Sequence, residues 1–270
     1  MNYHWNWAML LHAVPTGETT YLGWMVSGLQ LTLALSLSAW CMALFIGALM
    51  GILRTVTNRW LAGIAAVYVE VFRNIPLLVQ LFIWYFVLPE LLPAALGDAF
   101  KQTHPAVQQF VAAVICLGFF TGARVCEQVR TAIQSLPPGQ RQAALALGFT
   151  LPQAYRHVLM PLAIRRMLPP LTSELLNIFK NSAVCSTIGL LELSAQGRQL
   201  VDYTAQPYES FIAVTLLYMM INALVMLGMR RVENRARVPG YIATARDGGS
   251  TGNAGAVSSA TARDGGSTGN

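Results

Sequence analysis

Glu174, Asn177, Lys180 and Asn181 lie inside one otherwise apolar run, roughly Met167 to Leu191. Ionisable groups in such surroundings are costly unless they face a cavity, a partner group or the edge of a membrane. At about 100° per residue on a helix, Ser173, Glu174, Asn177, Lys180, Asn181 and Thr187 share one side, with Val184 and Ile188 interleaved. Two uses compete. Lys180 could meet a carboxylate of a passing solute while Asn177 and Asn181 offer hydrogen bonds. Alternatively, Glu174 and Lys180 serve contacts between helices or subunits, or sit near the membrane edge. A second group, Arg124, Glu127 and Arg130, shares a face with Thr131 and Gln134 and reads most simply as a solvated, ion-paired continuation of a helix. Glu70 and Arg73, three residues apart, read as partners for each other, with Pro76 allowing a bend into the bilayer.

Catalytic chemistry finds little support. The lysines are Lys101 and Lys180, and neither follows a glycine-rich loop, so the chain has no phosphate cradle of the P-loop kind. If ATP drives its work, hydrolysis belongs to another polypeptide. The pattern G-x-S-x-G occurs only in the repeated Gly, Ser and Thr tail, outside the strand-to-helix setting a nucleophile elbow needs, and there is no HExxH. Cys41, Cys116, Cys126 and Cys185 lack CxxC spacing and read as small buried packing residues, while His4, His12, His104 and His157 are scattered. The expectation is a non-catalytic chain with no metal and no cofactor of its own.

The elements that must position these residues are membrane helices. Of the 270 residues, 54% are hydrophobic and 11% charged, against about 25% charged in ordinary soluble domains. The uncharged run Tyr21 to Leu53 exceeds the ~20 residues that a span requires. It is also too long, and too poor in preceding basic residues, for a secretory signal, so it is expected to be retained. A second span is expected over Trp60 to Pro89 with a charged shoulder at Glu70 and Arg73, a third over Pro105 to Ala123, a fourth over Met167 to Leu191 and a fifth over Ser210 to Met229. The aromatics Trp60, Trp84 and Tyr85 read as interface anchors or packing.

Basic residues favour cytoplasmic loops. The segment 1–20 carries none, whereas Arg54, Arg59 and Arg73 flank the first turnaround, six arginines fall between Arg124 and Arg166, and Arg230, Arg231, Arg235 and Arg237 follow the last span. The predicted topology is a periplasmic N-terminal segment (1–20), a transmembrane region (21–238) of five helices and a cytoplasmic C-terminus. The net charge of +6 follows from this placement, and no nucleic acid is implied. Beyond Pro239, "TARDGGSTGN" occurs at Thr244 to Asn253 and again at Thr261 to Asn270. Such a Gly, Ser and Thr background cannot bury a core, so the tail 239–270 is expected to be disordered.

One cytoplasmic stretch interrupts the apolar pattern. "SLPPGQ" (Ser135 to Gln140) is turn chemistry, "RQAALALG" favours helix until Gly148 stops it, and Thr150 with Gln153 forms a capping-box pattern for a second helix running towards Pro161. A helix of barely two turns depends on packing. The small side chains of Ala143 and Ala144 permit close approach of another surface, and Gly148 lets the segment 135–161 project crosswise. Either another protein covers it, or it is an ordinary loop rich in helix formers.

The spacing Ala143, Ala144, Gly148, Val158, Pro161 resembles the EAA loop of the permease subunits of ATP-binding cassette (ABC) importers, with Gln142, Val158 and Met160 standing where that pattern has Glu, Ile and Leu. "YVEVFRNIPLLVQLFIWYFVLP" (Tyr68 to Pro89), "ARVCEQVRTAIQSLPPGQ" (Ala123 to Gln140) and "NIFKNSAVCSTIGLLEL" (Asn177 to Leu193) resemble the polar amino acid branch of these permeases. The likeness is greatest to membrane subunits of bacterial glutamate/aspartate importers and leaves only the repeated tail outside it. This resemblance implies the all-α type I importer permease architecture in the bacterial inner membrane, with Gln142, Ala143, Ala144 and Gly148 as the coupling contact for an ATPase subunit that uses ATP. It further implies a second, homologous permease subunit and a periplasmic amino-acid-binding protein. The competing readings are an ion-gradient-driven secondary transporter, which five spans without an inverted repeat disfavour, and a membrane enzyme, for which no motif speaks.

Overall fold

The computed structural model describes residues 3–236 other than 16 and 18; the duplicated tail lies outside the described residues. The described chain is helical: α1 (Tyr21–Leu53), α2 (Arg59–Asn74), α3 (Leu77–Phe82), α4 (Leu88–Leu91), α5 (Ala94–Lys101), α6 (Pro105–Gln134), α7 (Pro138–Ala146), α8 (Leu151–Ala154), α9 (Met160–Asn181), α10 (Leu193–Thr204) and α11 (Pro207–Ala236). Wider π turns join α3 to α4 over Ile83–Val87 and α8 to α9 over Tyr155–Leu159.

Two departures from the expected spans have physical causes. The second is bent by 105° between α2 and the Leu77–Leu91 run, because Pro76 has no N–H to continue the helix and pushes Ile75 into extended geometry (φ −91°, ψ 131°). The fourth is not a single helix over 167–191. Helix α9 ends at Asn181, a 3-10 segment follows over Ser182–Ile188, and Gly189 turns the chain at φ +89°. By length and apolarity α1, α6 and α11 can each cross a membrane, and the bent pair adds a fourth span. Helix α9 falls short of that class because it carries Arg165, Arg166, Glu174 and Lys180 and has Pro169 and Pro170 in its interior.

Helices α1 and α6 form the centre. Gly28, Thr32, Ser36, Ala39, Ala43, Gly47 and Gly51 recur every three or four residues along the buried face of α1, a small-residue stripe that lets helix backbones approach closely where lipid offers no hydrophobic drive for association. A Cβ on Gly47 would lie 2.6 Å from that of Val125, and one on Gly51 would lie 2.5 Å from that of Val129. Tyr68 of α2 donates its hydroxyl to the Phe119 carbonyl of α6 (2.7 Å). Cys116, Cys126 and Cys185 are buried as expected, but Cys41 is exposed, because it lies on the flank of α1 turned away from this packing.

At the opposite end from the α6–α7 turn, the N-terminal segment packs Met9 and Val14 into the core. It is tied to the start of α11 by Tyr3, whose hydroxyl donates to Gln206 (2.6 Å) and to Glu209, and by the Asn6 N–H, which donates to Glu209 Oε1 (2.7 Å). Partial burial and the Glu209 carboxylate raise the Tyr3 phenol to about 12, so it stays a protonated donor at neutral pH. The fully buried Glu192 caps α10 by accepting from the backbone N–H groups of Ser194 (3.0 Å) and Ala195 (2.8 Å), and it also accepts from the Tyr218 hydroxyl of α11 (2.7 Å).

The α1 and α6 contact generates the first prediction. Gly51→Ala should destabilise the protein by about 1 to 3 kcal/mol through overpacking, read as a lower unfolding midpoint in detergent. Val129→Ala on the same chain should recover only a small part of that loss, because it removes Cγ1 at 2.7 Å but leaves the Val129 Cβ at 2.5 Å and the Cys126 carbonyl at 2.9 Å.

Candidate functional site

A polar cleft of about 280 Å³ opens among Arg73 of α2, Arg124, Glu127 and Gln128 of α6, and Glu174 of α9. Its pieces are held from several directions. The Arg124 guanidinium stands 3.7 Å from Glu174 Oε2 and lies over the Phe120 ring at 4.9 Å. Glu174 is buried at 9% exposure, and Asn177 lies about one turn further along α9. Glu127 pairs with Arg54 at the end of α1 and with Arg130 on its own helix (2.8 Å), while Arg130 also donates to Gln134 Oε1 (2.6 Å).

This arrangement corrects two expectations. The Arg124, Glu127 and Arg130 group is not a freely solvated helix face: Glu127 and Arg130 have side-chain exposures of 18% and 30%, and the carboxylate bridges α6 to α1. Glu70 does not take Arg73 as its partner either. It accepts from Asn74 Nδ2 (3.1 Å), four residues on, because the elbow carries Arg73 towards the cleft. Of the polar residues expected on α9, Glu174 lines the cleft and Asn177 flanks it. Asn181, seven residues beyond Glu174, falls on the same side of the helix and is partly buried. Lys180 is exposed, does not line the cleft, and has no hydrogen-bond or ion-pair partner among the described residues. Thr187 sits on the 3-10 segment, where helical spacing no longer applies. Sequence spacing did not reveal Arg54 and Arg73 as neighbours of this cluster, since each comes from another helix whose register only packing sets; Gln128, next to Glu127 on α6, joins it from the same helix.

The projecting loop has the anticipated anatomy in finer detail. Helix α7 ends in a Schellman arrangement: Gly148 adopts φ +86°, its N–H donates to Leu145 O (3.0 Å), and the Phe149 N–H donates to Ala144 O (3.2 Å). Helix α8 starts with the capping box, the Thr150 N–H donating to Gln153 Oε1 (2.8 Å). Ala144 faces inwards at 3% exposure, whereas Gln142 and Ala143 are exposed and Leu145, Leu147 and Phe149 are open at 41%, 79% and 38%. Behind α7 a cavity of about 580 Å³ separates it from the ends of α1 and α6, bordered by Arg54, Ile133, Gln134, Arg141 and Tyr155. Two clasps tie the chain that follows α7 to the ends of α1 and α6. The Tyr155 hydroxyl reaches Thr55 O (2.8 Å) and Oγ1 (3.0 Å), and the Arg166 guanidinium donates to Ser135 Oγ (2.8 Å). A short helix with exposed apolar residues at its C-terminal end, followed by a segment clasped to α1 and α6, can be gripped from outside and can pass displacement to those helices.

Known proteins share this organisation. The chain is 56% identical over 241 residues to the glutamate/aspartate import permease protein GltJ of Escherichia coli strain K12, covering 89% of this chain and 98% of that one. It is 32% identical over 234 residues to the glutamine transport system permease protein GlnP of the same strain, covering 86% and 98%. A crystal structure of an amino acid ABC transporter with histidines superposes with a TM-score of 0.67 at 31% identity, covering 80% of this chain and 95% of that chain. The family model for the binding-protein-dependent transport system inner membrane component matches residues 43–238. The chain therefore belongs to that family, the membrane-spanning permease subunits of ABC importers, and resides in the inner membrane.

Proposed function

We propose that this permease carries polar amino acids, glutamate and aspartate foremost, and that it is a non-catalytic subunit driven by a separate ATPase docked on α7. The observation that carries the coupling is the exposed C-terminal end of α7, with Gln142, Ala143 and Leu145 on the helix and Leu147 and Phe149 flanking Gly148 open to solvent and Ala144 turned inwards, on a helix too short to stand alone. GltJ, at 56% identity, imports the substrates named. A homologous second permease and a periplasmic amino-acid-binding protein complete the assembly. Five crossings, with α9 as the remaining one, put the N-terminus outside and the C-terminus inside, in keeping with the basic ends of α1, α6 and α11.

The substrate path runs along α9 past Asn181, Lys180, Asn177 and Glu174. The Lys180 ammonium, without a partner among the described residues, suits a substrate carboxylate. Arg73 and Arg124, inward of it, offer further charge to an acidic side chain, and Glu174 keeps their net positive charge low enough for the solute to leave. Reaction chemistry is absent from this cycle: nucleotide-driven closure of the ATPase pair moves α7, and α7 moves the helices that border the path.

The direct test is uptake of labelled glutamate and aspartate into vesicles containing the whole complex. Uptake should require ATP, the ATPase subunit and the binding protein; uptake driven by an ion gradient without the ATPase would overturn the assignment. Gly148→Val forces a β-branched residue into left-handed geometry, at about 1 to 2 kcal/mol, while nothing beyond its chain neighbours lies within 4 Å of the added Cβ. The expected result is a fall in uptake of about tenfold with ATP hydrolysis retained. Lys180→Ala should weaken uptake of acidic amino acids while leaving the yield of assembled complex unchanged, since the side chain has no partner to lose within the described residues; equal loss of both would contradict its place on the path.

A further inference from the structure

We propose that Gln80 is a positioning residue: it braces the α2–α3 elbow and, through that elbow, holds Arg73 at the cleft. In an unbroken helix the Phe72 carbonyl would accept from the N–H of residue 76, and residue 76 is proline. The orphaned oxygen finds its donor in the Gln80 side chain, whose Nε2 lies 2.9 Å from Phe72 O and 2.8 Å from Ile75 O. One carboxamide thus closes both sides of the 105° bend. The side chain is 3% exposed, so water cannot readily take over, and a buried carbonyl left unpaired is costly.

Arg73 immediately follows Phe72, so the geometry of that carbonyl fixes where the Arg73 side chain departs from α2. Straightening or loosening the elbow would withdraw Arg73 from Arg124, Glu127, Gln128 and Glu174. Further anchors hold the α2–α3 unit near α6, namely the Tyr68 hydroxyl on Phe119 O (2.7 Å) and the Cys116 thiol near Leu77 O (3.9 Å). Neither touches the elbow carbonyls, which leaves the angle itself to Gln80.

This inference rests on the cleft being part of the substrate path, and the experiment separates the two. Spin labels at the exposed positions Ile64 and Leu91, in the assembled complex with Cys41 replaced by serine, report the elbow by their distance distribution. Gln80→Met keeps length and bulk but removes both hydrogen bonds. It should broaden that distribution and lower uptake kcat about tenfold, and adding it to Arg73→Ala should lower uptake no further than Arg73→Ala alone. Gln80→Asn, too short to span both carbonyls, should fall between wild type and Gln80→Met, and it decides the matter if the methionine variant fails to assemble. An unchanged distance distribution, or losses that multiply in the double variant, would overturn the bracing role. Undiminished uptake in Arg73→Ala would instead contradict the reading of the cleft.

Discussion

Inside a bilayer no water is available to satisfy a backbone amide or carbonyl, so every break in a helix must be closed by the protein itself. This chain breaks its helices at the α2–α3 elbow, at the start of α10 and in the loop between α7 and α8. Gln80 closes the elbow at Pro76, Glu192 and Thr32 cap the start of α10, and the Schellman turn at Gly148 with the Thr150 and Gln153 box closes the corner between α7 and α8. Each closure fixes a direction change, and the changes of direction put charged groups of α2, α6 and α9 around one cleft and leave α7 projecting.

Around these breaks the uninterrupted helices act as a frame. The small-residue stripe of α1 against Val125 and Val129 of α6 brings two backbones together with little room between them, so a displacement at one end is passed along rather than absorbed. The clasp from Tyr155 to Thr55 and the contacts of Arg166 with Ser135 join the chain after α7 to the ends of those same two helices. The cavity behind α7 gives the short helix space to move relative to them. Grip outside, slack behind and rigid helices beyond are what a part that receives work from a neighbouring motor needs.

Much of this was legible in the amino-acid order, and the remainder was not for definable reasons. Helix α1 begins at Tyr21 and ends at Leu53, matching the uncharged run, because length and apolarity alone decide a span of that kind. The α7 to α8 corner was legible because Gly148, Thr150 and Gln153 act through local backbone chemistry. By contrast, the pairing of Glu127 with Arg54 spans two helices, and helical spacing on one of them pointed only to local partners. The break at Asn181 escaped a reading by periodicity because the apolar pattern continues through the 3-10 segment without a proline or glycine until Gly189. Gln80, inside an apolar stretch, gave no sign that its amide replaces the N–H missing at Pro76, since that pairing depends on the bend the proline creates.

The central claim is that α7 is the handle by which an ATP-hydrolysing partner moves this permease. A single cysteine at Leu147, 79% exposed, in a chain whose Cys41 is serine, tests it most directly through cross-linking within the assembled transporter. The account requires capture of the ATPase subunit, with a yield that changes between nucleotide-bound and nucleotide-free states. Failure to capture that subunit in either state, or labelling of the same cysteine by an impermeant reagent from the periplasmic side, would contradict it.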